Sequence, residues 1–327
     1  MPTTVKASYN GKPEDWPVPQ MPDLTGIEPW HGVEGSFWKR DISNSEIDLW
    51  RTEKLAAFDV KLSCGAGNKP YMGTSYGMPF NIVDESLPKT KIWNLNDTVK
   101  WSWFRPTYPV DYAPFPPLVR REGDPGESSD QHWYGYDPEH GWLYELILVS
   151  FSGLNRLKTF GQTEWTHGYN GGGAFVKWNT LIPWNAAGQP KRGIVAAGIP
   201  QFPLVVRYEE MLAGHIDHCF FAALANYARA MVGVARGFDG DLDPATYPLR
   251  AGDLLRLKSS VVYSITDPHQ RVFANAARKH GILIGDRNAH NTGHWEGPGG
   301  WTLTQDVRWQ GVSMPTWNLS DFEVVAQ

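Results

Sequence analysis

The sequence has little cysteine and no long uninterrupted apolar run. Cys64 and Cys219 lie far apart and form no CxxC pair, so neither a disulfide scaffold nor a structural zinc site is predicted. The longest apolar stretches, residues 146–151 and 219–225, fall well short of the roughly 20 residues that span a bilayer. We expect two buried free thiols, with one long-range disulfide as the alternative, and no membrane span.

Clustered positive charge is also missing. The net charge is −5 and the isoelectric point is about 6.1, whereas a nucleic-acid-binding surface needs grouped Lys and Arg side chains. Residues 1–16 hold no apolar segment of the kind found in secretion signals. The sequence therefore predicts no nucleic-acid partner, and a protein that stays in the cytoplasm or leaves the cell by a route that needs no signal.

Nucleotide and serine-hydrolase motifs lack their structural context. The glycines at 171–173 are not followed by Gly-Lys-Ser/Thr, and no dinucleotide-binding fingerprint is found. Residues 73–77 match Gly-x-Ser-x-Gly, but residues 68–70 and 78–79 offer neither the strand before it nor the helix after it. No cofactor is predicted.

Tryptophan is abundant, with 16 residues beside 33 Gly and 25 Pro. Burying every indole would require an unusually large core, so we expect some of them to face solvent or a ligand.

Many short β-type runs broken by Pro and Gly predict a mainly β protein, a sandwich or jelly roll with one or two short helices and long Pro/Gly-rich loops. Residues 1–29 form a Pro-rich arm that either contacts a neighbouring protein or packs on its own domain. Residues 30–327 are expected to form a single β-rich globular domain.

Short sequence patterns predict individual helices and strands. Residues 131–136 and 142–150 predict a hairpin in which Tyr136 pairs with Trp142. Asp267 and Gly281 mark the start and end of a helix. Further strands are expected at the segments 174–179, 205–208, 253–263 and 282–284, and residues 216–225 fit a strand or a helix.

The hairpin carries the first candidate site. Asp130, His132 and Glu145 could supply acid and base groups, and Trp133 and Tyr144 could stack on a sugar ring. The alternative is that one face of the hairpin belongs to the core and these aromatic residues simply pack.

The glycine-rich segment 161–184 carries the second candidate site. Its aromatic and polar side chains could line a groove for a ligand, and they are Glu164, Trp165, His167, Trp178 and Trp184. An ordinary surface loop is the competing interpretation.

Other segments give weaker signals for catalytic or metal-ligating residues. Glu209, or its neighbour Glu210, could serve as a second catalytic carboxylate. His215 and His218 would share one face only if they lay on a helix. Asp residues alternate in the Gly-bearing segment 239–243, but the acidic residue that a complete EF-hand needs is absent. No metal site is predicted.

Several segments resemble a poorly characterised family of secreted bacterial β-rich proteins. The resemblance rests on residues 130–132, 143–145, 198–200, 205–210, 214–218, 256–258 and 277–286, which read DQH, LYE, GIP, VVRYEE, GHIDH, RLK and ARKHGILIGD. It implies a related fold and an extracellular, glycan-facing setting, and no named reaction.

A phage tail or other virion component would combine that setting with a chain that has no secretion signal. We therefore expect a glycan-recognising, receptor-binding virion protein that faces the host cell envelope and contacts polysaccharide. The alternatives are a glycan-cleaving hydrolase or lyase and a purely structural assembly protein that associates with itself or with virion proteins through the arm.

Overall fold

The computed structural model describes residues 30, 36–55, 57, 61–62, 78, 80–84, 87, 89–94, 112–114, 132–147, 165–167, 174–224, 226–287, 302–303 and 317–327. These residues form mainly strands with a few short helices, which confirms the mainly β prediction. The predicted arm at 1–29, the Gly-x-Ser-x-Gly segment at 73–77 and the loop at 288–300 lie outside this part of the chain. None of the described helices has the length and apolar character needed to cross a membrane.

The elements in chain order are α1 (Leu49–Leu55), β1 (Lys61–Leu62), β2 (Phe80–Ile82), β3 (Lys89–Asn94), β4 (Tyr112–Pro114), β5 (Trp133–Asp137), β6 (Trp142–Ile147), β7 (Trp165–His167), β8 (Ala174–Asn179), α2 (Tyr208–Ala213), β9 (Phe220–Leu224), β10 (Ala228–Met231), β11 (Arg250–Ala251), β12 (Leu254–Leu257), α3 (Ser259–Ser264), α4 (Pro268–Lys279), β13 (Ile282–Arg287), β14 (Thr302–Leu303), β15 (Trp317–Asn318) and β16 (Phe322–Val324). Short 3₁₀ helices occur at Phe37–Lys39, Phe202–Leu204 and Leu319–Asp321.

The chain divides into two compact units. Unit 1 comprises Met1–Glu34 and Thr74–Ile194, and unit 2 comprises Gly35–Gly73 and Val195–Gln327. Each unit is therefore built from segments that are not continuous in sequence.

Unit 1 contains a four-stranded sheet in the order β2-β5-β6-β8 and a three-stranded sheet in the order β4-β3-β7. In the larger sheet β5 and β6 form the predicted hairpin, β8 pairs antiparallel with β6, and β2 pairs parallel with β5. Buried aromatic and β-branched side chains of this sheet, including Phe80, Tyr134 and Val176, favour the pleated arrangement.

Unit 2 is organised around a mixed sheet in the order β14-β9-β13-β12-β16, with β9 and β13 parallel. The central strands β9, β12 and β13 are almost wholly buried. Strands covered on both faces read as continuous apolar runs rather than as alternating ones. This is why residues 216–225 have no strand periodicity although they contain β9.

Helix α4 confirms the predicted helix and covers this sheet beside β12. The Asp267 side chain accepts a hydrogen bond from the Gln270 amide at 2.9 Å, and Pro268 occupies the first turn. Gly281 follows with φ of +86°, a left-handed conformation that glycine adopts without strain. Phe273 and three alanines are buried on its inner side.

Buried ion pairs tie the N-terminal part of unit 2 to its sheet. Arg51 of α1 donates to both carboxylate oxygens of Asp253, whose side chain is fully buried. Arg256 binds Glu323 at 2.8 Å and also donates to main-chain oxygens of Ile42, Ser43 and Ser45. These charges are compensated, as buried charges must be.

Two of the predicted strands are wrong in whole or in part. Only Leu254–Leu257 of the segment 253–263 is a strand, and Ser259–Ser264 forms α3. Residues 205–208 do not form a strand, because a 3₁₀ turn at Phe202–Leu204 precedes them and α2 begins at Tyr208. The Glu210 carboxylate accepts from the Arg207 amide at 2.8 Å. That contact satisfies an amide just before the helix and favours helix initiation there.

Candidate functional site

The hairpin register differs by one residue from the predicted one. Asp137, not Tyr136, pairs with Trp142, and Tyr134 rather than Trp133 lies opposite Glu145. The Asp137 carboxylate accepts from the amides of Glu139 and His140 at 3.0 and 3.1 Å. This turn chemistry extends β5 by one residue, and a shift of one residue exchanges the partners across the strands.

Glu145 lies in the interior of unit 1. Its side chain is fully buried, and its Oε2 accepts a hydrogen bond from the Trp178 indole nitrogen at 2.8 Å. Tyr134 of β5 and Val176 of β8 pair with it from either side. The structure thus brings together Glu145 and Trp178, two residues from different predicted sites, as a buried polar pair.

The remaining aromatic candidates of unit 1 also occupy core positions. His132, Trp133, Tyr144 and Trp184 are each at most 5% exposed. The Trp133 indole lies over Gly135, where a Cβ atom would overlap it, and His132 stacks on Tyr134. Their predicted catalytic and ligand-binding roles stay predictions, and in this structure their rings are covered.

The other predicted residues are placed as follows. Asp130 and Glu164 lie outside the described residues, and Trp165 and His167 belong to β7. Glu209 lies in the first turn of α2. Strand β7 pairs with β3 and not with the hairpin, so these strands belong to different sheets.

Burial is the common state of the tryptophans whose side chains are described. Trp142 is partly exposed and Trp50 is 49% exposed. The others are buried, and they are Trp30, Trp38, Trp133, Trp178, Trp184 and Trp317. The expectation of open indoles is therefore met, within this part of the chain, at two positions that the sequence had not singled out.

Trp142 anchors a surface patch on unit 1, which we call the Trp142 patch and define by Trp142, Lys177, Asn179 and Leu181. The Lys177 ammonium lies 3.9 Å from the Trp142 ring centroid and 5.1 Å from that of Tyr144. Asn179 pairs with Trp142 across β6 and β8, and Leu181 is 66% exposed. An aromatic ring, a cation, an amide and an apolar side chain are thus available at one end of the sheet.

In unit 2, His218, Glu210 and Arg207 form a largely buried cluster. The His218 Nε2 atom lies 3.1 Å from the Glu210 carboxylate, and Arg207 contacts the same carboxylate at 3.0 Å. Burial raises the Glu210 pKa, but the charges of His218 and Arg207 outweigh it and hold that pKa at about 2. His215 lies beyond the end of α2 and is exposed, so the two histidines do not share a helix face.

A second polar cluster lies where the parallel strands β9 and β13 end. The Tyr227 hydroxyl donates to Asp239, and the Asp286 carboxylate accepts from the amides of Ala196 and Arg287 at 3.3 and 2.8 Å. Asp241 binds Asn226 and Arg287.

The aspartates of the segment 239–243 do not converge. Asp243 accepts from the Ala245 amide within its own turn at 2.9 Å, away from the partners of Asp239 and Asp241. Among the described residues no group of three His, Cys, Asp or Glu side chains is arranged to hold a metal ion. Sequence reasoning named Asp239 but not Tyr227 or Asp286, which are distant in sequence and come together only through strand pairing.

The described residues therefore define a mainly β protein with polar clusters on separate sheets. No family model, no curated protein and no solved structure matches the chain.

Proposed function

We propose that the protein recognises glycan and that the Trp142 patch is its contact surface. The observation that carries this proposal is the partly exposed Trp142 ring with an ammonium group and an amide beside it. Sugar rings present an apolar C–H face that packs on an indole and hydroxyl groups that accept from or donate to polar side chains. The Lys177 contact holds the indole in one orientation, which lowers the ordering cost of binding.

We propose that the protein binds glycan rather than cleaves it. A glycan-cleaving enzyme built on Glu145 would need that carboxylate to reach the glycosidic oxygen, and general acid–base catalysis requires hydrogen-bond reach to the reacting atom. The burial of Glu145 against Trp178 works against such contact. Recognition by the Trp142 patch needs only surface groups.

The biological setting is part of the same proposal. A virion component, such as a phage tail protein that faces a bacterial envelope, is supported by the resemblance described above. We also propose that the strands pack as a sandwich or jelly roll. Self-association or binding to virion proteins through residues 1–29 follows from the Pro-rich composition of that segment.

Glycan retention tests the proposal. The wild-type chain, Trp142→Ala and Lys177→Gln are compared on an array of bacterial envelope polysaccharides. Trp50→Ala is the matched control, because Trp50 is an exposed indole among the described residues of unit 2. We expect Trp142→Ala to lose at least about tenfold in affinity, the scale of one lost aromatic anchor. Lys177→Gln is expected to lose less, and Trp50→Ala to bind like the wild type.

Melting temperatures are measured in parallel so that unfolding is not mistaken for lost binding. An array on which the wild-type chain retains no polysaccharide contradicts the proposal. So does a folded Trp142→Ala variant that retains glycan at the wild-type level. Light scattering of the full chain and of a variant lacking residues 1–29 tests assembly, because a loss of mass beyond the deleted segment would support self-association through the arm.

A further inference from the structure

Residues 36–45, which we call the strap, are the first described segment of unit 2. The strap has a 3₁₀ turn at Phe37–Lys39 and is otherwise irregular. Arg256 of β12 donates to three main-chain oxygens of residues 42–45 at distances of 2.7 to 3.0 Å, and Arg278 of α4 donates to one of these oxygens at 3.1 Å. Guanidinium groups do not lose their charge in proteins, so this half of the strap is held independently of pH.

The other half of the strap is held by a histidine. The Nδ1 atom of His280, the residue that follows α4, lies 3.1 Å from the Arg40 carbonyl oxygen. The Ile42 amide donates to the Lys279 carbonyl oxygen at 2.7 Å beside it. A carbonyl oxygen can only accept, so Nδ1 carries the hydrogen of the neutral ring and Nε2 bears a lone pair.

The Nε2 atom of His280 lies in a dry position. It is buried and has no hydrogen-bond partner among the described residues, and the whole residue is 4% exposed. A second proton on this ring would bury a positive charge and an N–H donor that meets no acceptor, and both would lose their hydration without compensation. The closed strap therefore accommodates the neutral ring and excludes the imidazolium ion.

The neighbouring charges do not compensate a proton on the ring. The carboxylates among them are exposed, so water screens their attraction, and one of them also contacts Lys279 at 3.9 Å. Arg256 and Arg278, on the other half of the strap, add positive charge. The titratable groups that interact with the ring are Asp41 of the strap, Lys279 of α4, and Asp217 and His218 of the segment before β9.

The position of His280 in the sequence would suggest the opposite behaviour. A histidine at the end of a helix ordinarily holds its proton more tightly, because the carbonyl end of the helix favours a cation. Here burial is the largest influence and lowers the pKa of His280 below its ordinary value of 6.5, and the hydrogen bond to the Arg40 oxygen offsets this only in part.

We propose that His280 is an acid-sensitive latch, which fastens residues 37–41 of the strap in its neutral form and releases them when the ring is protonated. Release lifts these residues far enough from the end of α4 for water to reach Nε2. The movement ends at residues 42–45, because Arg256 and Arg278 keep their contacts there.

The direction of the pH effect follows from linkage. The closed strap lowers the His280 pKa, so the open state binds the proton more tightly than the closed state. The stabilisation is complete above the ordinary value of 6.5 and is lost as the pH falls through the lowered pKa of the closed state. Between these two values, opening becomes up to about tenfold more favourable for each unit by which the pH falls.

Hydrogen exchange on the full-length chain measures this opening from pH 8 to pH 5, with rates corrected for the intrinsic pH dependence of exchange. The amides of residues 39–40 and of Cys219, which donates to the Trp38 carbonyl oxygen at 2.7 Å, should lose protection as the pH falls below 6.5. The Asp48 amide donates to Val324 of β16 and should keep its protection, so it serves as the internal reference.

His280→Asn separates the charge of the ring from its hydrogen bond. The Asn amide group can still donate to the Arg40 oxygen but cannot be protonated at neutral or mildly acidic pH. This variant should keep the protection of the strap constant from pH 8 to pH 5. His269→Asn is the matched control, because His269 lies on α4 and is exposed, and it should show the wild-type pH dependence.

Wild-type protection that stays constant or rises on acidification overturns the latch, and so does an unchanged pH dependence in folded His280→Asn. Titration of the wild-type imidazole signals by NMR does not depend on how the variant folds. A His280 ring that titrates at or above the ordinary value of 6.5 also overturns the latch, and a lower value supports it. The latch belongs to unit 2 and requires no property of the Trp142 patch.

Discussion

The Nε2 atom of His218 lies 3.1 Å from the carboxylate of Glu210 in the interior of unit 2. The Nδ1 atom of the same ring lies 2.8 Å from the Cys219 carbonyl oxygen, so both ring nitrogens face acceptor oxygens. Arg207 completes the environment of the carboxylate through its amide and its guanidinium group. The cluster joins the start of α2 to the residues that lead into β9.

Removing the charge of Glu210 should destabilise unit 2. Glu210→Gln keeps the shape of the side chain but removes one acceptor and the charge that compensates Arg207, and breaking a buried pair costs about 3 kcal/mol. Urea unfolding at pH 7 measures the loss in unfolding free energy. Asp217→Asn is the control, since Asp217 makes only long, exposed ion pairs at 3.7 and 3.9 Å, which contribute little.

The same variant has a defined pH signature. The Glu210 pKa lies near 2 in the folded chain, below its ordinary value of 4.5. Its contribution to stability is therefore present above pH 4.5 and is lost as the pH falls towards 2. The difference in unfolding free energy between the wild type and Glu210→Gln should therefore be smaller at pH 3 than at pH 5. An equal difference at both pH values would contradict this assignment.

The buried contact between Trp178 and Glu145 gives a second prediction. Trp178→Phe removes the indole donor from a fully buried carboxyl group, and we expect a loss of about 2 kcal/mol in unfolding free energy. Replacing both partners should cost less than the sum of the single changes, because no buried acceptor is then left without its donor. The double variant Trp178→Phe with Glu145→Met, measured by urea unfolding, tests this. Full additivity would show that the two side chains are not coupled.

Local sequence signals predicted local structure well. The cap at Asp267 and the glycine after α4 fixed the helix ends, and residues 174–179 form β8 as predicted. These features depend on a few neighbouring residues, which is the range over which capping and alternation act.

The hairpin register and the geometry of the candidate sites could not be predicted from such local sequence signals. In the observed hairpin register the Asp137 carboxylate accepts from two turn amides, a contact that composition alone does not specify. The sequence predicted Glu145 as a catalytic carboxylate. In the structure its carboxylate is instead hydrogen-bonded by Trp178 from another strand, a contact between residues that are distant in sequence. The position of Asp286 likewise depends on a β-bulge at Gly285, where the register between β13 and β9 shifts, and no residue pattern predicts that bulge.

The bulge at Gly285 gives the third prediction. A Cβ atom built at Gly285 would overlap the ring of Phe221, which is 2% exposed and cannot swing out into solvent. Gly285→Ala should therefore destabilise unit 2 by about 2 kcal/mol, the usual cost of overfilling a packed core. Gly214→Ala is an instructive comparison, since a Cβ there meets no atom within 4 Å and only its φ of +74° opposes the substitution.

A double-mutant cycle separates the steric cause from other effects of the alanine. Phe221→Leu shortens the side chain that the new methyl group would meet, so Gly285→Ala should cost less in the Phe221→Leu background than in the wild type. Thermal and urea unfolding of the four chains give the coupling energy. A coupling energy near zero would mean that the ring of Phe221 is not what excludes a side chain at the bulge.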